Sequence, residues 1–339
     1  MVTSLRWWQF IRGNGAAAKV GMIAVVAAMA ALTMTTSGAS ATTSSRRWSP
    51  PIFIGAKGSS SSQVNYSISC PSSTFCAAVN GDGQFLFRRH GVWSSPRPLS
   101  MGGSIDSVSC SNQAFCVAVA AGEASVYNGH EWSSPIHMGP GSDTYDVSCP
   151  KSTFCAAVGA SGIPGKKSAL VTFNGHSWTT YRTSSTGKLK DRLLSVSCAS
   201  PQLCMAANSD GQILGFNGST WTPSLSSGPQ NLISVSCTIS KFCMAVTIDG
   251  QSVSYRNGKW SPHKSIIAFQ GAGAYSISCA SNSQCSVIGL SGAATSWTVG
   301  IWSSPAKVFS GGFSAGVAIS CSSGGDCVAV NDRGMSSSR

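Results

Sequence analysis

Apolar and polar residues alternate in short stretches along most of the chain, with a period of two and not 3.6. "VNYSISC" (64–70) sets large and small residues on opposite faces, as a strand does. "FCAAVN" (75–80) predicts a second strand, short and apolar. "GDGQFLFRR" (81–89) turns at Asp82-Gly83 into a third, and "GVWSSPRPL" (91–99) reads as a fourth. Proline near the end of the fourth suits an outer edge, where a missing N–H breaks no ladder. The phrase then recurs as "SVSCSNQAFCVAV" from Ser107, "SVSCASPQLCMAA" from Ser195 and "SVSCTISKFCMAV" from Ser234.

Two landmarks give the repeat its period. All fourteen cysteines fall in pairs of one spacing: Cys70/Cys76, Cys110/Cys116, Cys149/Cys155, Cys198/Cys204, Cys237/Cys243, Cys279/Cys285 and Cys321/Cys327. Tryptophan keeps the same rhythm at Trp48, Trp93, Trp132, Trp178, Trp221, Trp260 and Trp302. "YNGHEW", "FNGHSW", "FNGSTW" and "YRNGKW" put Asn-Gly just before four of these tryptophans, which predicts type I′ hairpins between third and fourth strands. Four strands every forty residues or so, seven times, predicts an all-β seven-bladed β-propeller of four-stranded antiparallel blades. The ends are complementary. "RRWSPPIF" (46–53) offers a fourth strand before any cysteine pair, and only twelve residues follow Cys327. An N-terminal strand is therefore expected to complete the last blade and close the ring, leaving no open edge. "SGIPGKKSAL" lengthens the third unit, "SSTGKLKD" (184–191) lengthens the connection after it, and the sixth has "AATSWTVGIW" in place of the Asn-Gly turn.

Each cysteine pair is expected at the facing ends of a blade's two inner strands, as one disulfide per blade. Metal ligation is the alternative, but zinc sites join two short Cys-x2-4-Cys elements or add histidines, and no histidine recurs beside these pairs. Paired cysteines fit an exported chain. Residues 1–19 carry Arg6, Arg12 and Lys19 with no acid, "VGMIAVVAAMAALTM" (20–34) is continuously apolar, and "ASA" (39–41) ends the segment. That predicts a cleaved signal peptide over 1–41, a propeller over 42–339, and a secreted or cell-surface product with no membrane span in the mature chain. An uncleaved anchor is the second reading, although the run is shorter than the roughly 20 residues a span needs. Only 10% of the 339 residues are charged and the formal net charge is +12. The bases are scattered, so specific nucleic-acid binding is not expected. The excess favours anionic surfaces such as acidic glycans or wall polymers.

"TIDGQSVSY" (247–255) and "NSDGQILGF" (208–216) resemble degenerate Asp-box turns of the sialidase-like propeller superfamily, with Asp directly before Gly in place of Ser-x-Asp-x-Gly-x-x-Trp. The disulfide-stapled repeats look like those of exported bacterial propellers. The glycine pair of kelch blades and the Trp-Asp ending of WD repeats are missing. The sialidase-like resemblance implies an arginine triad, a Tyr/Glu nucleophile pair and an Asp acid. Here the only glutamates are Glu123 and Glu131, both in the second unit, and no motif surrounds Arg88, Arg97, Arg182, Arg192 or Arg256. His90, His130 and His176 fall in outer turns, which diverge. No Gly-x-Ser-x-Gly elbow occurs. No catalytic residue, metal site or cofactor is therefore expected. The seven tryptophans either pack between blades or stack on a sugar. Asn65 and Asn217 fit glycosylation sequons. The expected function is a monomeric, non-catalytic binding or scaffold protein that recognises a carbohydrate, cell-wall or protein ligand through its loops. A sialidase-like hydrolase or lyase with a divergent site is the alternative.

Overall fold

The computed structural model describes residues 47–55, 66–101, 103–139, 142–161, 168–181, 189, 192–225, 228–266, 269, 273–310 and 317–339. The predicted signal segment, Asn65 and Arg182 lie outside these. The described chain forms seven antiparallel sheets arranged as blades in a ring. The innermost strands are Tyr66–Ser72, Ser107–Asn112, Ser142–Lys151, Leu193–Ser200, Leu232–Thr238, Ala274–Ser281 and Ala318–Cys321. Each neighbours the next around a central channel, and the last neighbours the first. The second strands are buried through their centres, and Phe75–Asn80 and Phe242–Thr247 along their whole length. Their Ala, Val and Met side chains meet a blade on each face, so they read as apolar runs without strict alternation.

Two serine devices explain the recurring phrases. In "SVSC", the serine before each first cysteine accepts from the cysteine N–H of the next blade: Cys110 to Ser69, Cys149 to Ser109, Cys198 to Ser148, Cys237 to Ser197, Cys279 to Ser236, Cys321 to Ser278 and Cys70 to Ser320, at 2.8–2.9 Å. An innermost strand has a bare edge toward the channel, and these hydroxyls satisfy its outward N–H groups. The belt closes on itself through Ser320 and Cys70. In "WSSP", the serine after tryptophan replaces a backbone donor–acceptor pair. Ser94 N–H donates to Phe87 O while Phe87 N–H donates to Ser94 Oγ, and Ser133, Ser261 and Ser303 repeat the exchange with Val126, Ser254 and Ser296. The outer strand then leaves its neighbour. In blades 1, 5 and 6 it consequently comes in two pieces, as in Val92–Trp93 and Arg97–Pro98, and not as the one strand expected.

All seven cysteine pairs are disulfides within their own blades: Cys70–Cys76, Cys110–Cys116, Cys149–Cys155, Cys198–Cys204, Cys237–Cys243, Cys279–Cys285 and Cys321–Cys327, with no free cysteine. They face one another as expected, with Cα atoms 3.9–4.1 Å apart, and only the ladder around them varies. In five blades the two cysteines are direct partners in the ladder, as Cys110 with Cys116 and Cys279 with Cys285. In blades 1 and 3 the ladder instead shifts register there, between Ser69 and Ser72 and between Ser148 and Lys151, so Cys70–Cys76 and Cys149–Cys155 bridge an interrupted step. Pro71 and Pro150 follow the first cysteine in these two blades only, and proline has no N–H to give the ladder.

The ring closes as predicted. Ile52 and Phe53 pair with Ser336 and Met335, and Ser49 N–H donates to Ser338 O at 2.8 Å. The seventh sheet thus runs from the N-terminal strand to Met335–Ser338, Cys327–Val330 and Ala318–Cys321. The hairpin expectation is met only in part. Asn257-Gly258 is a two-residue turn with both φ positive, at 50° and 82°. In the three longer turns only the glycine is left-handed, and the asparagine side chain caps instead: Asn128 Oδ1 accepts from His130 and Glu131 N–H, and Asn174 and Asn217 do the same. The four phrases have the same length, but in these three the asparagine directly follows the aromatic, one place earlier than Asn257, so four residues stay outside the ladder and an Asx turn replaces the left-handed asparagine.

Candidate functional site

Antiparallel pairing brings the cysteine loops and the outer-strand turns to one end of the ring. The opposite end is where all seven innermost strands begin. A cavity of about 590 Å³ opens there, lined by the residues four and three positions before each first cysteine. The deeper ring is Ser67, Ser107, Asp146, Ser195, Ser234, Ser276 and Ala318. Four of its serines accept from the next blade's N–H groups: Val108 to Ser67, Val235 to Ser195, Ile277 to Ser234 and Ile319 to Ser276, with a longer contact from Val147 to Ser107. This is a second belt, parallel to the first.

Blade 3 breaks it. Asp146 stands where serine is the rule, and its Oδ2 accepts from Val196 N–H at 2.8 Å. Oδ1 accepts from the Ser107 hydroxyl at 2.8 Å and from Val147 N–H at 2.9 Å. Asp146 keeps part of its surface on the channel. Burial among the strands pushes its carboxyl up to about 6, against the pull of Val196 N–H, the Ser107 and Ser195 hydroxyls and Val147 N–H. A serine would satisfy Val196 N–H without a charge, so the fold alone does not ask for aspartate.

The folded chain holds the Asp146 proton more tightly than the unfolded chain, where aspartate titrates near 3.8. This residue's contribution to stability is therefore fully present below about pH 4 and lost as pH rises through about 6. Asp146→Ser is expected to stabilise the protein by about 1–2 kcal/mol at pH 7.5, after discounting for channel water, with the gain vanishing near pH 4. Urea midpoints of both proteins at the two pH values check this. A variant less stable than the parent at pH 7.5 contradicts it.

The outer ring is chemically varied: Tyr66, Asp106, Tyr145, Leu194, Ile233, Tyr275 and Val317. The residues four before each first cysteine thus comprise three tyrosines, three aliphatics and one acid, above two nearly uniform belts; Tyr145, Leu194, Ile233 and Tyr275 are set out of the ladder by a bulge, whereas Tyr66 pairs with Asn80. Arg192 adds an exposed cation whose guanidinium lies 5.5 Å from the Tyr145 ring centre. The walls around Asp106 push its carboxyl up to about 6, with a backbone hydrogen bond from Ala121 opposing and Asp143 adding to the rise. No sequence signal singled out Asp106 or Asp146. Alignment on the cysteines, read four and three positions upstream, would have exposed both rings.

None of the sequence-predicted residues except Arg192 lines this mouth. The disulfides, from Cys70–Cys76 to Cys321–Cys327, lie toward the other end, each stapling the inner hairpin of its own blade. Each tryptophan sits in an apolar cluster between two blades: Trp93 between the seventh and first, Trp132, Trp178, Trp221, Trp260 and Trp302 in successive interfaces, and Trp48 between the sixth and seventh. Trp93 and Trp260 donate Nε1–H to Ser336 and Ser224. His90, His130 and His176 lie in turns at the far end, with Asn217. Arg97 and Glu131 line a crevice between blades 1 and 2, while Arg256 stacks over Phe242 and Trp297. Among the described residues no group of acids, histidines and cysteines could hold a metal ion, and no helix is long and apolar enough to cross a membrane.

No protein-family model matches the chain, and no curated protein matches it. Solved structures share the fold. YCF48 bound to D1 peptide is similar over 86% of this chain and 94% of its own, at 14% identity and a TM-score of 0.63. YCF48 from Cyanidioschyzon merolae covers 86% and 98% at 14% identity and TM-score 0.62. U3-55K covers 85% and 98% at 10% identity and TM-score 0.69. At such identities the likeness concerns the seven-bladed ring alone.

Proposed function

We propose that this chain is an exported, monomeric, non-catalytic binding protein whose channel mouth captures a short segment of a protein partner. The observation that carries the reading is the contrast between rings: nearly uniform serine belts hold the fold, and the varied ring above them presents Tyr145, Leu194, Ile233 and Tyr275 to an incoming chain. A pocket of this size with an apolar wall and a few polar groups suits one or two side chains. The segment is read as a large apolar residue next to a lysine or arginine, the cation meeting Asp106. A propeller of the same fold carries a D1 peptide in one of the similar structures, which supports the class of ligand. Seven disulfides without a free cysteine support an oxidising compartment.

The hydrolase alternative would need a carboxyl pair with a free acid. Asp146 is poorly suited to that role, because Ser107, Val147 and Val196 already occupy its lone pairs. Selection of a random peptide library on the purified protein tests the reading. Enriched peptides are expected to carry an apolar–basic pair, to bind Leu194→Asp at least about 10-fold more weakly, and to bind Arg97→Gln unchanged. Failure to enrich any peptide, or equal binding by Leu194→Asp of unchanged melting temperature, overturns it.

A further inference from the structure

The third strand of each blade turns two residues toward the next blade. Their pairing with the second strand makes them comparable around the ring: Ala124 and Val126, Leu170 and Thr172, Ile213 and Gly215, Ser252 and Ser254, Ala294 and Ser296, Ser336 and Ser338. These are small or aliphatic, which is all the interface requires. Blade 1 alone places two aromatics there, Phe85 and Phe87, against Val79 and Ala77. Across the interface stand Tyr127 and Trp132 of blade 2. Ring centres lie 5.7 Å apart for Phe85–Trp132, 4.9 Å for Phe87–Tyr127 and 5.4 Å for Tyr127–Trp132.

Four rings do not seal the gap. Phe85, Phe87 and Trp132 remain half-buried, and a crevice of about 770 Å³ opens over them. Two guanidiniums flank it. Arg89 is held over the Phe75 and Phe87 rings at 5.0 and 5.4 Å and donates to Tyr127 Oη. Arg97 is exposed on the outer strand, where its backbone pairs with Phe85, and its guanidinium makes no hydrogen bond or ion pair among the described residues. Glu131 and His130 complete the rim.

We propose that this crevice is a second binding site, for an acidic saccharide of the uronate class. The C–H faces of a pyranose suit a floor of aromatic rings, a carboxylate suits Arg97 and Arg89, and Glu131 can accept from sugar hydroxyls. A peptide is disfavoured by the walls, where main-chain groups are already used: Ser94 N–H on Phe87 O and Ser133 N–H on Val126 O. Strand addition needs free backbone groups, and side-chain recognition of a sugar does not. The site is independent of the channel mouth, which lies at one end of the ring and not between blades.

Titration of the full chain with trigalacturonate, triglucuronate and trimannuronate, followed by tryptophan fluorescence and calorimetry, tests the assignment. At least one uronate trimer is expected to bind with a dissociation constant below about 1 mM and to shift the fluorescence. Its carboxyl-reduced counterpart, and the Arg97→Gln protein with the intact trimer, are each expected to bind at least about 10-fold more weakly. Arg97 is exposed, so this variant retains the fold, and an unchanged melting temperature confirms that. The proposal is overturned if no uronate binds below about 5 mM, if Arg97→Gln binds it equally, or if an acidic tryptophan-containing peptide occupies the crevice instead.

Discussion

A chain that begins at Gly58 is expected to melt about 10 °C below one that begins at Thr42, and to associate at concentrations where the longer chain stays monomeric. The missing residues include the outer strand of the seventh blade. They carry the Ile52–Ser336 and Phe53–Met335 pairs, the Ser49–Ser338 bond and the Ile54 N–H to Gly334 O bond. Ile54 is 5% exposed, and Trp48 packs against the cluster between the sixth and seventh blades, under the Arg339 guanidinium at 5.0 Å. Losing a packed tryptophan and a buried isoleucine, with several backbone bonds, amounts to about 5–7 kcal/mol. In a protein of this size each kcal/mol moves the melting temperature by about 1.5–2 °C. The strand Met335–Ser338 would also become a bare edge, the usual template for association. Equal melting temperatures, with both chains monomeric, contradict the closure.

Reduction is expected to have an even larger effect. Each disulfide joins residues six apart, and closing so small a loop contributes about 2 kcal/mol in the chain-entropy model. Seven of them approach 15 kcal/mol as a ceiling, which equals or exceeds the whole stability of a typical domain. Protein reduced under denaturing conditions and returned to buffer with reductant should therefore stay unfolded at 25 °C by circular dichroism. Native protein should resist the same reductant, because the second cysteine of every pair is buried: Cys76, Cys116, Cys155, Cys204, Cys243, Cys285 and Cys327 are at most 1% exposed. A reduced chain that refolds and melts within about 5 °C of the oxidised one contradicts this role.

The architecture was legible because it is written in residues with few alternative uses. Fourteen cysteines at one spacing and seven tryptophans in step are hard to place except as one unit per blade, and the unmatched ends call for each other. The turns were less legible, because Asn-Gly serves either a left-handed asparagine, as at Asn257, or an Asx cap, as at Asn128. The sites were hidden for a different reason. Tyr145, Leu194 and Ile233 look like any strand residues until the ladder sets each on a bulge and the ring gathers them around one opening. Asp146 looks like a small irregularity in "YDVSC" until the belt shows that every neighbour but Ala318 is serine. Phe85 and Phe87 fit an ordinary alternating strand, and only comparison with their six counterparts marks them as an excess.

Hydroxyl-radical footprinting of the protein with and without a selected peptide tests the central claim directly, since it reads the exposure of individual side chains. Bound peptide is expected to lower oxidation at Tyr145, Leu194, Ile233 and Tyr275, while Phe85, Phe87 and Trp132 are oxidised as in the free protein. Unchanged oxidation at those four mouth residues in the peptide-saturated protein would contradict it.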